Sequence, residues 1–327
     1  MSYKNDISNR YIQEGIKLVP DLNACTMRLE LTNICNHRCV FCPHHIKKRK
    51  PGFMNKHLAL RLLKEAYDLG VRRVALFMNG EPFLVKELPA YVKYSKELGY
   101  DYVFITTNAS VATKEKIAAV MDAGIDSIKF SINAGTKESY IKVHGEDDYE
   151  KAMEMLEFAN QYRKKNNINC KLLSGFVITD ITKPEMELQY NKVQPFVDDF
   201  LFFKPDNFGG YMVEEYPTYF TTDIQTMLPY YDYPNKNIPC SLLFNSINIT
   251  SEGYLTLCCS EALNYLVTCD LNSMSIKDAW ESAEMIDIRK RHIENNLVGT
   301  QCYKCMHNVS CLVEPLNKEL YIKSNEL

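Results

Sequence analysis

No apolar run in the 327 residues is long enough to cross a membrane. The opening segment, Met1 to Gly15, is polar and lacks the apolar core of a signal peptide. There is no excess of basic charge. Against 41 Asp and Glu stand 38 Lys and Arg, a net charge of -3, so nothing in the balance points to nucleic acid. Internal repeats and low-complexity stretches are also missing. What remains is an ordinary globular chain, 46% hydrophobic and 24% charged, with room for one large domain or a large and a small one. It is expected in a reducing cytoplasm, away from any membrane. There its twelve cysteines are informative, because clustered thiols in such a compartment are metal ligands or reactive groups rather than disulfides.

Short runs rich in β-branched, aromatic and aliphatic residues alternate with longer stretches of helical spacing. The runs predict strands at Cys25–Thr32, Val74–Met78, Tyr102–Thr106, Ser127–Ser131, Lys171–Ile178 and Phe200–Phe203. The helical spacing predicts helices at Lys56–Leu69, Val85–Leu98, Lys114–Ala123, Tyr149–Lys165 and Pro184–Val193. Repeated strand–helix units predict an α/β fold, a partial (β/α)6 parallel barrel with its chemistry at the C-terminal strand ends. The expected division is an N-terminal arm (1–24), the partial barrel (25–205), a tyrosine-rich linker (206–239) and a small cysteine-rich domain (240–327). In the last of these, Ser246–Thr250 and Tyr254–Leu257 read as a hairpin and Ser275–Lys290 as a helix.

Cys35, Cys39 and Cys42, spaced C-x3-C-x2-C, follow the first strand directly. Three thiolates on one loop can hold three irons of a [4Fe-4S] cube and leave the fourth open. The same spacing also admits zinc completed by His37, His44 or His45. This motif, followed by alternating strands and helices, resembles the radical S-adenosylmethionine (SAM) superfamily. The resemblance implies that SAM binds the open iron and is cleaved reductively to a 5′-deoxyadenosyl radical. Further residues agree with it. Phe41 stands where the family has an aromatic near the adenine. Asn79-Gly80-Glu81-Pro82 looks like the Gly-Glu-Pro turn that binds the SAM amino group through carbonyl and carboxylate acceptors. At the ends of the third and fourth strands, Thr107, Ser131 and Asn133 are candidate SAM contacts, Ser131 for a ribose hydroxyl. His144 takes the place where relatives often carry an arginine near the SAM carboxylate.

A second cysteine group lies in the last third: Cys240-x17-Cys258, with Gly253 five residues before Cys258, then Cys302-x2-Cys305 and Cys311. It resembles the SPASM/twitch extension of radical SAM enzymes. The cysteine that a full SPASM domain would place after Cys311 is replaced by Pro315, which favours one auxiliary [4Fe-4S] cluster. The preferred ligands are Cys240, Cys258, Cys302 and Cys305, with Cys311 able to replace one. A structural zinc site is the alternative. Cys259, beside a ligand, is the candidate hydrogen-atom donor.

These features point to a radical SAM oxidoreductase of dehydrogenase type. The expected substrate is small and carbohydrate-like, a sugar, aminocyclitol or other polyol oxidised at a hydroxyl carbon, with a flavodoxin or ferredoxin as reductant. An epimerase or a peptide-modifying enzyme is the alternative, the latter disfavoured because few residues precede the first strand. The basic run Lys47-Lys48-Arg49-Lys50 reads as a solvated face or as an attractor for a phosphorylated substrate.

Overall fold

The computed structural model describes residues 17–46, 49–214 and 239–325. The linker expected at 206–239 therefore falls largely outside the described residues, as do Lys47 and Lys48. Six parallel strands form the larger part of one open sheet: β1 (Thr26–Leu29), β2 (Arg73–Ala75), β3 (Tyr102–Thr107), β4 (Ser127–Ser131), β5 (Lys171–Val177) and β6 (Asp199–Phe203). Between them run helices α1 (Lys56–Asp68), α2 (Leu88–Leu98), α3 (Lys114–Asp122), α4 (Lys137–His144), α5 (Tyr149–Lys165) and α6 (Met186–Val193). Only α4 had no counterpart among the sequence expectations. It is short and lies directly against the long α5, whose period masks it.

Local chemistry starts and stops these helices. Asn55 caps α1 by accepting from the His57 and Leu58 amides, and the helix buries Leu58, Ala59, Leu62, Leu63 and Ala66 on one face. Thr113 and Thr136 cap α3 and α4 in the same way. Gly99 and Gly145, at φ of 103° and 79°, end α2 and α4 in the left-handed conformation. Along β3 and β1 burial alternates, so one sheet face packs on helices and the other looks inward.

The C-terminal third follows as α7 (Leu242–Asn245), β7 (Ser246–Ile249), β8 (Tyr254–Thr256), β9 (Val267–Asp270), α8 (Ile276–Trp280), α9 (Ala283–Ile293), α10 (Gln301–His307) and α11 (Lys318–Asn325). The hairpin β7–β8 forms as its sequence suggested, and β7 also pairs in parallel with β1, Thr26 opposite Ser246 and Leu29 opposite Ile249. The sheet thus runs across the expected domain boundary in the order β6-β5-β4-β3-β2-β1-β7-β8-β9. Among the described residues no strand pairing joins β6 to β9, so the barrel stays open. The single helix expected over Ser275–Lys290 is two. Ser282 adopts extended backbone and its hydroxyl accepts from the Met285 amide, which caps a new helix. The break lets Arg289 stack over Trp280 at 4.0 Å and donate to the Trp280 carbonyl, while Trp280 Nε1 donates to the Pro20 carbonyl.

Candidate active site

The first cysteine loop leaves the end of β1 and is stitched to the end of α4. Arg38 N donates to the His144 carbonyl and Val40 N to the Val143 carbonyl. The Asn79–Pro82 turn, at the end of β2, closes against the same loop. A Cβ on Gly80 would stand 2.2 Å from the Thr32 carbonyl oxygen and 2.8 Å from that of Ile34, so only glycine allows the approach. The Glu81 amide then donates to the Ile34 carbonyl at 2.9 Å.

The Glu81 carboxylate is buried and fully engaged. It accepts from Phe83 N at 3.0 Å, Thr107 Oγ1 at 2.6 Å and Asn108 N at 2.9 Å. Burial nevertheless pushes it up to about 7. Thr107 is committed to that contact and to the Ala109 amide. Glu81 and Thr107 thus brace the turn against the end of β3.

Cys35, Cys39 and Cys42 sense one another's charge, and burial pushes the Cys35 thiol up to about 12 and the Cys39 thiol well above its ordinary value. A metal must displace those protons on binding. His37, Cys39 and His144 bring one donor atom each within 4.8 Å of one another. The imidazole lone pairs there are already used. His37 Nε2 meets Asp148 at 3.1 Å, the two Nδ1 atoms of His37 and His144 are 3.3 Å apart, and His144 Nε2 accepts from the Asn133 amide at 3.3 Å. These partners place a proton on His144 Nδ1, which also faces Cys39 Sγ at 3.2 Å. Burial lowers both imidazoles, so both are neutral. His144 is stacked on Tyr140 behind the loop, and the Asn133 side-chain carbonyl accepts from Val177 N.

The second cysteine group also converges. Cys258 hydrogen-bonds with Cys259 and feels Cys240; Cys302 feels Cys240 and Cys305; Cys305 feels Cys240. Cys311 lies half-exposed past α10. One cavity of about 490 Å³ brings residues next to both groups together. Its lining includes Phe41, Asn79, Ser131 and Asn133 together with Cys259, Cys305 and Asp206.

Residues 29–182 match the radical SAM superfamily and residues 240–306 the SPASM iron-sulfur cluster-binding domain. The chain belongs to the radical SAM superfamily. Among relatives of this radical SAM enzyme, a protein named GTP 3′,8-cyclase from Aliarcobacter butzleri (strain RM4018) is 26% identical over 82% of this chain and 88% of its own. Two solved structures share the fold. BtrN in complex with AdoMet and 2-DOIA is 18% identical, with a TM-score of 0.57 over 85% of this chain and 91% of that one. Streptococcus suis SuiB bound to precursor peptide SuiA is 16% identical, with a TM-score of 0.64 over 81% of this chain and 66% of that one. The enzyme accordingly uses a [4Fe-4S] cluster with SAM and an auxiliary cluster. The donor chemistry fits. Three thiols on a single loop suit a cube with an open iron, and four converging thiols suit a fully ligated one.

Among the described residues no helix is long and apolar enough to cross a membrane. Four charged residues that line the cavity escaped sequence reasoning: Arg28, Lys129, Lys204 and Asp206. The first two had a signal. Each is the one charged residue of its strand, in Thr-Met-Arg-Leu and Ser-Ile-Lys-Phe-Ser, on the face opposite the apolar positions. The basic run after the first motif had drawn attention instead. Its Arg49 is buried and ion-paired to Glu30 and Glu252, and so is unavailable to a ligand.

Proposed function

We propose that this radical SAM enzyme oxidises a hydroxyl-bearing carbon of a small polyol. The sequence relative is named a GTP 3′,8-cyclase, whereas the two fold neighbours are bound to 2-DOIA and to a precursor peptide, so the choice rests on the cavity. The observation that carries it is that Cys305, a proposed auxiliary ligand, lines the same 490 Å³ space as Phe41 and Ser131, the proposed SAM contacts. A substrate held there would touch both. When bound, the first cluster and SAM supply a radical that removes a hydrogen atom, and the auxiliary cluster supplies an acceptor for the remaining electron.

The protein's own residues have the following proposed parts. Cys35, Cys39 and Cys42 hold the first cluster, and Cys240, Cys258, Cys302 and Cys305 the auxiliary one. Phe41, Ser131, Asn79 and the carbonyls of Gly80 to Pro82 receive SAM. Glu81, Thr107, Asn133 and His144 keep those groups in place from behind. Asp206, facing the cavity near Cys240 and Cys305, accepts the hydroxyl proton.

The test begins with iron and sulfide after anaerobic reconstitution. About eight irons in the wild type and about four in a Cys35/Cys39/Cys42→Ala variant are expected, with SAM cleavage only in the wild type. Candidate polyols are then screened for carbonyl products formed one per deoxyadenosine. About four irons falling to none would remove the electron-acceptor role and with it the oxidation. A second reading, epimerisation, draws on Cys259, whose thiol lines the cavity and could return a hydrogen atom to a substrate radical. Solvent deuterium in the product would mark that reaction.

A further inference from the structure

Two cationic side chains stand on the inward face of the sheet, deeper than the proposed SAM contacts. Arg28 is the third residue of β1 and Lys129 the third of β4, and both line the cavity. Strand alternation puts them there. Met27 and Leu29 on β1, and Ile128 and Phe130 on β4, are buried among core residues on the other side. Among the described residues neither cation makes an ion pair. Arg28 Nη1 donates to Ser246 Oγ at 2.5 Å, and Ser246 Oγ donates on to Asn248 Oδ1 at 2.9 Å, a neutral anchor that aims the guanidinium. The Lys129 ammonium rests 4.7 Å from the centre of the Phe203 ring. Gly175 leaves space for this: a Cβ there would lie 3.1 Å from Phe203 Cε2 and 3.5 Å from Lys129 Cδ.

Two like charges on a largely apolar wall repel each other and have lost much of their hydration. Burial first, then the Arg28 charge, brings Lys129 down to about 8. An anion between them relieves both costs. Two other charged side chains line the cavity: Lys204, a third cation, and Asp206, whose charge is felt by Cys240 and Cys305; the Cys259 thiol also faces the cavity and interacts with the charges of both Arg28 and Lys129.

We propose that Arg28 and Lys129 form an anion subsite in the substrate cavity, taking a small hydroxylated substrate by a carboxylate or phosphate group. The inference rests on reading this cavity as the substrate site of the radical reaction. It narrows the substrate to an anionic polyol, such as a sugar acid or sugar phosphate. The anionic end docks on β1 and β4, and the hydroxylated end is left between Ser131 and Cys305.

The test is equilibrium dialysis of the reconstituted, SAM-loaded protein against labelled inorganic phosphate, labelled acetate and, as the neutral control, labelled glycerol. Iron content is measured on each preparation. One anion per chain is expected, weakened about tenfold or more in Arg28→Met and in Lys129→Met, and less in Lys129→Arg, with no glycerol bound. Ser246→Ala, which releases the Arg28 anchor without removing a charge, should weaken binding by a smaller factor. Tighter phosphate than acetate assigns a phosphorylated substrate, and the reverse assigns a carboxylate. Equal anion affinity in the wild type and both Met variants would overturn the subsite. So would a shift in the auxiliary cluster's potential in those variants with anion binding unmoved, since the cations would then serve the cluster. Binding is read without turnover. A protein that binds the anion but never cleaves SAM with any substrate would therefore fail the radical reading and keep the subsite.

Discussion

Replacing Arg49 with methionine should destabilise the protein by several kcal/mol, and the structure shows why. From a buried position the five N–H groups of Arg49 face six acceptor atoms, two of which share an Nη2 hydrogen: both carboxylate oxygens of Glu252 from Nε and Nη2, both of Glu30 from Nη1 and Nη2, Ser251 Oγ from Nη2 and the Glu261 carbonyl from Nη1. The side chains of Arg49 and Glu30 are wholly buried, and that of Glu252 is 18% exposed. Methionine fills most of the volume but leaves two carboxylates facing each other without a cation. Breaking a buried pair from one side typically costs about 3–5 kcal/mol, because the remaining charge is stranded. That is a large share of a stability of roughly 5–15 kcal/mol. Denaturant unfolding with the slope held constant measures it. A second variant separates charge from packing. Adding Glu30→Gln to Arg49→Met removes one stranded charge and should recover about half of the loss or more. The network also ties the Asn79–Pro82 turn to the C-terminal third, since Asn79 Nδ2 donates to Glu30 Oε1 and to the Glu261 carbonyl. SAM affinity should therefore fall along with stability. An Arg49→Met protein within about 1 kcal/mol of wild type would refute the reasoning, because it would mean that the carboxylates are solvated or protonated at little cost.

Three further outcomes are expected. Gly80→Ala should abolish SAM cleavage and lower reconstituted iron, since its Cβ would meet backbone oxygen at 2.2 Å; normal iron and cleavage would show that the turn can withdraw from the cysteine loop. Cys305→Ala should lose about four irons while Cys311→Ala keeps all, and iron analysis in which Cys311→Ala also loses about four would put Cys311 in the ligand set. His292 is buried with neither ring nitrogen hydrogen-bonded, and burial lowers it from 6.5 to about 4. The folded state then binds fewer protons than the unfolded one between those values. The stability from its neutral form is present above pH 6.5 and is lost as pH falls towards 4, about 3 kcal/mol in all. His292→Leu should flatten that part of the stability–pH curve, and an unchanged slope would assign the acid loss elsewhere.

The amino-acid sequence alone determined the six parallel strands, five of their helices, the β7–β8 hairpin and both cysteine groups. These are local quantities: apolar period, caps, turn residues and ligand spacing act over a few neighbours. Even the break in the helix over Ser275–Lys290 is local, a second serine cap at Ser282 overriding a continuous period. Tertiary structure decided the rest. The pairing of β7 with β1 joins residues more than two hundred apart, and no local pattern encodes a partner at that distance. The same pairing brings Cys259 and Cys305 to the cavity of Phe41 and Ser131. Charge shows the division most clearly. Arg49 sits in a basic run that reads as surface, yet the fold buries it between two carboxylates. Arg28 and Lys129 are the one charged residue of their strands, yet the fold leaves both facing a cavity with no carboxylate ion-paired to either among the described residues. Whether a cation is a strut or a binding group depends on which acidic side chains the packed fold brings near it.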